Sequence, residues 1–149
     1  MDLQHTDMRS FMREALREGQ KALPRCLPNP PVGCVLVKDG AIIARGYTNP
    51  PGSYHAEAMA LHHVTGELSD VMAFVTLEPC SFYGRTPSCA KALVARKIKA
   101  VFVALIDPHP KNQGRGIRIL EAAGIPVTIG VMWQEAQNDL ASYLYQATP

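Results

Sequence analysis

Three side chains in this sequence have the types and spacing to hold a metal ion: His55, then Cys80 and Cys89 with eight residues between them. One imidazole and two thiolates are three of the four donors a tetrahedral zinc ion takes, and three protein donors leave the last position to water, as in catalytic zinc. Glu57 follows the histidine by two positions. It is too near to serve naturally as a fourth ligand and well placed to move protons for a metal-bound water. Two thiolates and a neutral imidazole bring the net charge at zinc to about zero, yet the ion still acidifies its water. The cation and any helix N-terminus nearby favour the thiolate forms. Such a set suits hydrolysis at an amino-bearing, amidine-like ring carbon. Hydroxide adds, Glu57 passes the water's proton to a ring nitrogen and then to the departing amine, and loss of ammonia leaves a carbonyl. A structural site would need four protein ligands and no adjacent carboxylate, so Glu57 favours an enzyme over a zinc-stapled binding module.

Singly, none of these residues carries the argument. A buried cysteine is ordinarily a small hydrophobe, and Cys34 in an apolar run and Cys26 in a loop read that way. His5, His62 and His63 read as surface or packing residues. The weight lies in the order: a Pro/Gly loop, then His55-Ala56-Glu57 opening a helix, then a strand ending in Glu78-Pro79-Cys80, then Cys89 opening another helix.

The surrounding elements follow from hydrophobic periodicity. Thr6 or Asp7 is expected to cap a first helix carrying Met8, Phe11, Met12, Ala15 and Leu16, which fades between Gly19 and Leu23. After the stiff turn Pro28-Asn29-Pro30-Pro31, residues 32–37 form a strand apolar on both faces, as a central strand would be. Lys38-Asp39-Gly40-Ala41 is a tight hairpin turn into a second strand, 41–47. The loop 48–54 delivers His55 to a helix running to about Val64, with His55 and Glu57 in its first turn. Strands are expected at 71–77, 101–106 and 126–129, and helices at 89–97, 116–123 and 133–145. A hairpin followed by strand, helix, strand, helix, strand gives a mixed sheet with helices on its faces. Both donor groups fall at strand-to-helix junctions, the end of an α/β sheet where ligands bind.

The length of 149 residues suits a single domain over 1–149 with a real core, and 47% apolar with 19% charged residues is ordinary globular composition. Fifteen basic against thirteen acidic residues give +2 with no cationic run, which argues against a nucleic-acid partner. No stretch has the length of a membrane span, and the first ten residues carry acids and no apolar signal core. Four cysteines without such a leader suggest metal or free thiols rather than disulfides, with a cytoplasmic location as the default expectation.

The signature of zinc deaminases is H-x-E followed by P-C-x-x-C. The chain resembles that cytidine-deaminase superfamily, and within it most closely the pyrimidine deaminases of riboflavin biosynthesis. The likeness runs from about Met8 to Trp133, carried by PNPPVGCVLVKDG at 28–40, HAE at 55–57, TLEPCSFYGRTPSC at 76–89, DPHP at 107–110 and GRGIRILEAAGI at 114–125. The long interval between the cysteines is its sharpest marker, since cytidine, deoxycytidylate and tRNA-adenosine deaminases have two residues there. The resemblance implies a three-layer α/β/α fold on a five-stranded mixed sheet whose fourth and fifth strands are parallel. It implies His55, Cys80 and Cys89 as zinc ligands, Glu57 as proton shuttle, and Asn29 as a contact to substrate ring or ribose. Phe82, Arg85, Thr86 and His109 are the further expected substrate contacts. Arg85 and Lys111 could grip a phosphate or stand as solvated loop cations, and Phe82 and Tyr83 could stack on a heterocycle or merely cover the site.

Three departures bear on substrate. Riboflavin deaminases are commonly fused to a dinucleotide-binding reductase, and a stand-alone deaminase without that domain is the expectation here. The family's loop reads S-H-x-G-[RK]-T-P-P-C, where this chain has Phe82 for the histidine and Ser88 for a proline; its D-P-N-P-x-V-A-G becomes D-P-H-P-K-N-Q-G. The first expectation is therefore hydrolytic deamination of the riboflavin-pathway diaminopyrimidine ribosylamino-phosphate. The alternative is the same chemistry on another small heterocycle, and behind both stands a non-catalytic zinc module. By analogy the chain should self-associate as a homodimer or higher oligomer. A final helix bearing Trp133, Leu140, Tyr143 and Leu144 could supply the apolar face or pack on its own sheet.

Overall fold

Phe74, in the middle of a seven-residue strand buried on both faces, marks the centre of the molecule. The computed structural model describes residues 4–82 and 87–146. In chain order these residues form α1 (His5–Gln20), β1 (Gly33–Lys38), β2 (Ala41–Tyr47), α2 (Ala56–His62), β3 (Val71–Leu77) and α3 (Cys89–Ala95). There follow β4 (Ala100–Leu105), α4 (Arg115–Ala122), β5 (Val127–Ile129), α5 (Trp133–Leu140) and a 3-10 turn, Ala141–Tyr143. The five strands make one sheet in the order β2-β1-β3-β4-β5. β1 pairs antiparallel with β2 and β3, whereas β3–β4 and β4–β5 are parallel. The mixed sheet expected from the alternation of strands and helices is therefore present, including the parallel fourth and fifth strands.

Strand alternation assigns the helices to faces. Gly33 backs onto α1, and its face continues through Val35 and Val37 to Phe74 and Phe102 by register. There the Phe74 and Phe102 rings stack 4.4 Å apart, and Phe11 of α1 approaches Phe74 at 5.4 Å. Arg9 of α1 lies 3.8 Å from Glu135 of α5, so these two helices share that side. The opposite face, with Cys34, Val75 and Gly46 in register, lies under α2. Gly46 permits this approach: a Cβ there would lie 2.7 Å from the Ala60 nitrogen and nearer still to the Ala56 carbonyl oxygen, both backbone atoms of α2. The result is the expected three-layer arrangement.

Three element boundaries differ from expectation. α1 begins at His5 with Gln4 in the cap position and no side-chain cap, so Thr6 and Asp7 lie inside its first turn; there the Asp7 carboxylate favours the positive helix end. His55 is the cap residue of α2, not part of its first turn, and has extended backbone angles. The final helix stops at Leu140 rather than Tyr145, because Leu140 is buried and the chain tightens into a 3-10 turn before becoming extended at Leu144. Leu140 and Leu144 pack on the chain's own core while Trp133 remains 58% exposed. No helix among the described residues is long and apolar enough to cross a membrane.

Candidate metal centre and active site

The loop that delivers His55 is pinned at both ends. Thr48 accepts a hydrogen bond from Val32 N at 3.0 Å and donates to the Pro30 carbonyl at 2.9 Å, tying the Pro-Asn-Pro-Pro turn to the end of β2. Asn49 N donates to Tyr54 O at 2.9 Å, closing the loop one residue before His55. Behind the donor helix, Arg96 spreads its guanidinium over the carbonyls of Leu61, Val64 and Gly66, at 3.2, 2.8 and 2.7 Å. These carbonyls lie at and just beyond the end of α2, where a cation also meets the negative helix pole.

The two cysteines are brought together by the start of α3. Ser88 caps that helix: its hydroxyl accepts from Lys91 N at 3.2 Å and donates to Cys80 O at 2.8 Å. Ala90 N donates to the same carbonyl at 3.0 Å, and Cys89 N points at the Cys80 sulfur at 3.2 Å. These bonds join Cys80 to the start of α3, so that both sulfurs meet one imidazole. His55 Nδ1 lies 3.7 Å from Cys80 Sγ and 3.4 Å from Cys89 Sγ. Tetrahedral zinc with ordinary Zn–S and Zn–N bonds separates N from S by about 3.6 Å, so the donors stand at the spacing zinc requires. Among the described residues these three form the one His/Cys/Asp/Glu group positioned to hold a metal ion.

Hydrogen bonding to Cys89, aided by His55, draws the Cys80 thiol down to about 5 despite burial. The same contact with Cys80, together with burial and Glu57, pushes the Cys89 thiol well up. Burial, and then the Cys80 charge, raise Glu57 to about 7. A bound dication favours the thiolate form of both sulfurs. Cys34, fully buried in β1, has its thiol pushed well up by burial and then by Glu57, so it remains the neutral packing residue expected.

His55, Glu57 and Cys80 line a cavity of about 500 Å³, whose walls include Asn29, Phe82 and His109. The structure thus gathers three expected substrate contacts around the donor group. Arg85, Thr86 and Tyr83 lie outside the described residues. Lys111 is exposed and does not line this cavity; its backbone N–H donates to His109 Nδ1 at 3.1 Å.

Two site-shaping residues escape the sequence reading. The Glu78 carboxylate, 3% exposed, accepts from Asp107 N and Gly114 N on Oε1 and from Ile117 N on Oε2, at 3.1, 2.9 and 3.1 Å. It caps α4 from another strand and anchors the loop after β4. Gly116 lets that helix abut the Pro79 carbonyl. Asn112, fully buried, accepts from Ser81 N at 3.1 Å and donates to Pro79 O and to Asp107 Oδ2, each at 3.3 Å. Together they hold the segment carrying Cys80. The only local hint was an acid or amide in a loop with no obvious partner. Tyr143, Leu144 and Tyr145 also line the cavity, a role that no spacing within the last helix could reveal.

The sequence model of the cytidine and deoxycytidylate deaminase zinc-binding region matches residues 5–105. The chain belongs to this family. It is a zinc-binding deaminase, which removes the non-catalytic zinc module from the readings. Riboflavin biosynthesis protein RibD of Chlamydia trachomatis is 47% identical to it over 136 residues, covering 91% of this chain and 36% of that protein. The solved Acinetobacter baumannii RibD superposes with a TM-score of 0.90 at 41% identity, covering 94% of this chain and 40% of that one. A diaminohydroxyphosphoribosylaminopyrimidine deaminase/5-amino-6-(5-phosphoribosylamino)uracil reductase from Thermotoga maritima gives a TM-score of 0.87 at 36% identity, over 93% of this chain and 40% of that one. This deaminase therefore spans two-fifths or less of the length of the relatives it matches.

Proposed function

We propose that this chain hydrolyses the amino group of diaminohydroxyphosphoribosylaminopyrimidine, releasing ammonia and leaving a carbonyl on the ring. The observation that carries this reading is the placement of Glu57, 5% exposed, in one 500 Å³ cavity with His55 and Cys80, two of the three grouped donors. His55, Cys80 and Cys89 would hold the zinc, which when bound supplies Lewis acidity that makes water nucleophilic near neutral pH. Glu57 takes a proton from the attacking water and delivers it to the ring nitrogen next to the reacting carbon. The tetrahedral carbon then collapses: Glu57 takes the second proton from its new hydroxyl and gives it to the exocyclic amine as the C–N bond breaks, so that water and amine exchange for carbonyl and ammonia. Asn29 on the cavity wall offers both an amide donor and an acceptor to the ring edge.

A second reading, the same chemistry on an unphosphorylated heterocycle, is favoured by one observation: Phe82 lines the cavity where the family pattern has a polar histidine. Ammonia release from zinc-loaded protein separates the two. The expected result is turnover of about 1 per second or more on the phosphorylated nucleotide, falling by about a thousandfold or more in Glu57→Gln. Equal rates with and without the 5′-phosphate would transfer the assignment to the second reading, and an active Glu57→Gln would refute the mechanism.

A further inference from the structure

The extended segment after the 3-10 turn runs across the cavity and contributes Tyr143, Leu144 and Tyr145 to its wall. It is held there from both sides: Leu140 is 1% exposed, Leu144 packs against the core, and Leu144 N donates to Ala141 O at 3.3 Å. Tyr145 stands beside His109 with ring centres 5.2 Å apart, and His109 in turn lies 6.4 Å from Phe82. His109 is itself fixed, its backbone N–H donating to Asp107 Oδ1 at 3.0 Å and its Nδ1 accepting from Lys111 N. That acceptance makes Nδ1 the unprotonated nitrogen of the neutral ring and leaves Nε2–H as a donor. Three rings from three separate segments therefore stand in a row.

Their exposure locates the row. Of the residues lining the cavity, Phe82 and Tyr145 are 38% and 46% exposed, at the mouth, whereas Glu57 is 5% exposed, at the floor. The reacting carbon must sit at the floor beside Glu57, so whatever the heterocycle carries away from that carbon lies against the rings. A phenyl face, a phenol face and an imidazole donor match the C–H faces and hydroxyls of a sugar.

We propose that Tyr145, with His109 and Phe82, is a specificity-determining wall that recognises the ribosyl substituent of the substrate. The assignment rests on the function proposed above. Its test is calorimetric binding in zinc-loaded Glu57→Gln protein, which leaves the substrate intact. Two probes are compared: the diaminopyrimidine ribosylamino-phosphate and the same diaminopyrimidine without its ribose. Replacing Tyr145 by Ala should weaken the ribosylated ligand about tenfold and the free base less than twofold. Tyr145→Phe should restore at least half the lost discrimination, since the ring face is retained. A merely structural role for the tail would weaken both ligands alike, and that result, or no loss for either, overturns the wall. If Glu57→Gln protein binds neither pyrimidine, the function proposed above fails instead. The wall is then judged on cytidine 5′-monophosphate against cytosine by the same comparison, and binding of none of the four ligands overturns it too.

Discussion

Gly46→Ala places one methyl group where α2 lies on β2, and the consequences can be worked out. The new Cβ would stand 2.7 Å from Ala60 N, against 3.4 Å for ordinary contact, so strand and helix must part by at least 0.7 Å; the Ala56 carbonyl oxygen demands more. Both opposing atoms are backbone, so no side chain can swing away. α2 carries His55 at its cap and Glu57 in its first turn, whereas Cys80 and Cys89 belong to β3's end and α3. A shift of α2 therefore moves the imidazole relative to both sulfurs, which now lie 3.7 and 3.4 Å away. Metal sites hold their ligand distances to about 0.2 Å, so the displacement exceeds the tolerance. Zinc affinity, measured by competition with a chromophoric chelator, should fall at least about tenfold, a loss of the size caused by removing an outer-shell partner of a metal ligand. Overpacking should also cost about 1–3 kcal/mol in denaturant unfolding of the metal-free protein. Ile43→Ala, on the same strand but 41% exposed, is the control and should change zinc affinity little. Gly46→Ala protein that binds zinc within twofold of the parent would refute the reasoning.

Other perturbations follow from the same geometry. Arg96→Ala removes three hydrogen bonds to carbonyls at the end of α2 and should destabilise the fold by about 1–3 kcal/mol in urea titration, with earlier hydrogen exchange in residues 56–64. Glu78→Gln can keep Oε1 for Asp107 N and Gly114 N but turns an NH2 group toward the buried Ile117 N–H; a loss of about 1–3 kcal/mol is expected, read as a lowered melting midpoint. Removing zinc with a chelator unlinks α2 from the two cysteine segments, so the melting midpoint should fall. At free zinc a thousand times its dissociation constant the lost stabilisation is about 4 kcal/mol, and a midpoint insensitive to zinc would argue against the three-donor site.

What the sequence made legible was local. The hairpin turn at Asp39 and Gly40, both with positive φ, is encoded by two adjacent residues. The donor set is encoded by short motifs that each end a strand or begin a helix: His55 caps α2, and Cys89 opens α3 behind the capping Ser88. Chain order and residue type were sufficient because these backbone positions come with the elements themselves. The misplaced boundaries are of another kind. Thr6 and Asp7 have capping side chains, but the helix extends past them to His5. Leu140, Tyr143 and Leu144 suggested one continuous helix, and burial of Leu140 and Leu144 on the core is met by a tightened turn instead.

Long-range polar clamps were illegible for a physical reason. The Glu78 carboxylate finds its partners 29, 36 and 39 residues away, and Asn112 finds Ser81 and Pro79 at 31 and 33. Nothing near either residue in sequence reveals a need for an acceptor. That need is created by the first turn of α4, whose free N–H groups would be buried unpaired at the sheet's end. The proposed specificity wall is dispersed in the same way. Phe82 follows β3, His109 follows β4, and Tyr145 follows α5, so one cavity wall draws on three stretches of chain. The chemistry can therefore be read from His55, Glu57, Cys80 and Cys89 in linear order. The wall proposed to choose what that chemistry acts upon is built from residues that only the folded sheet brings together.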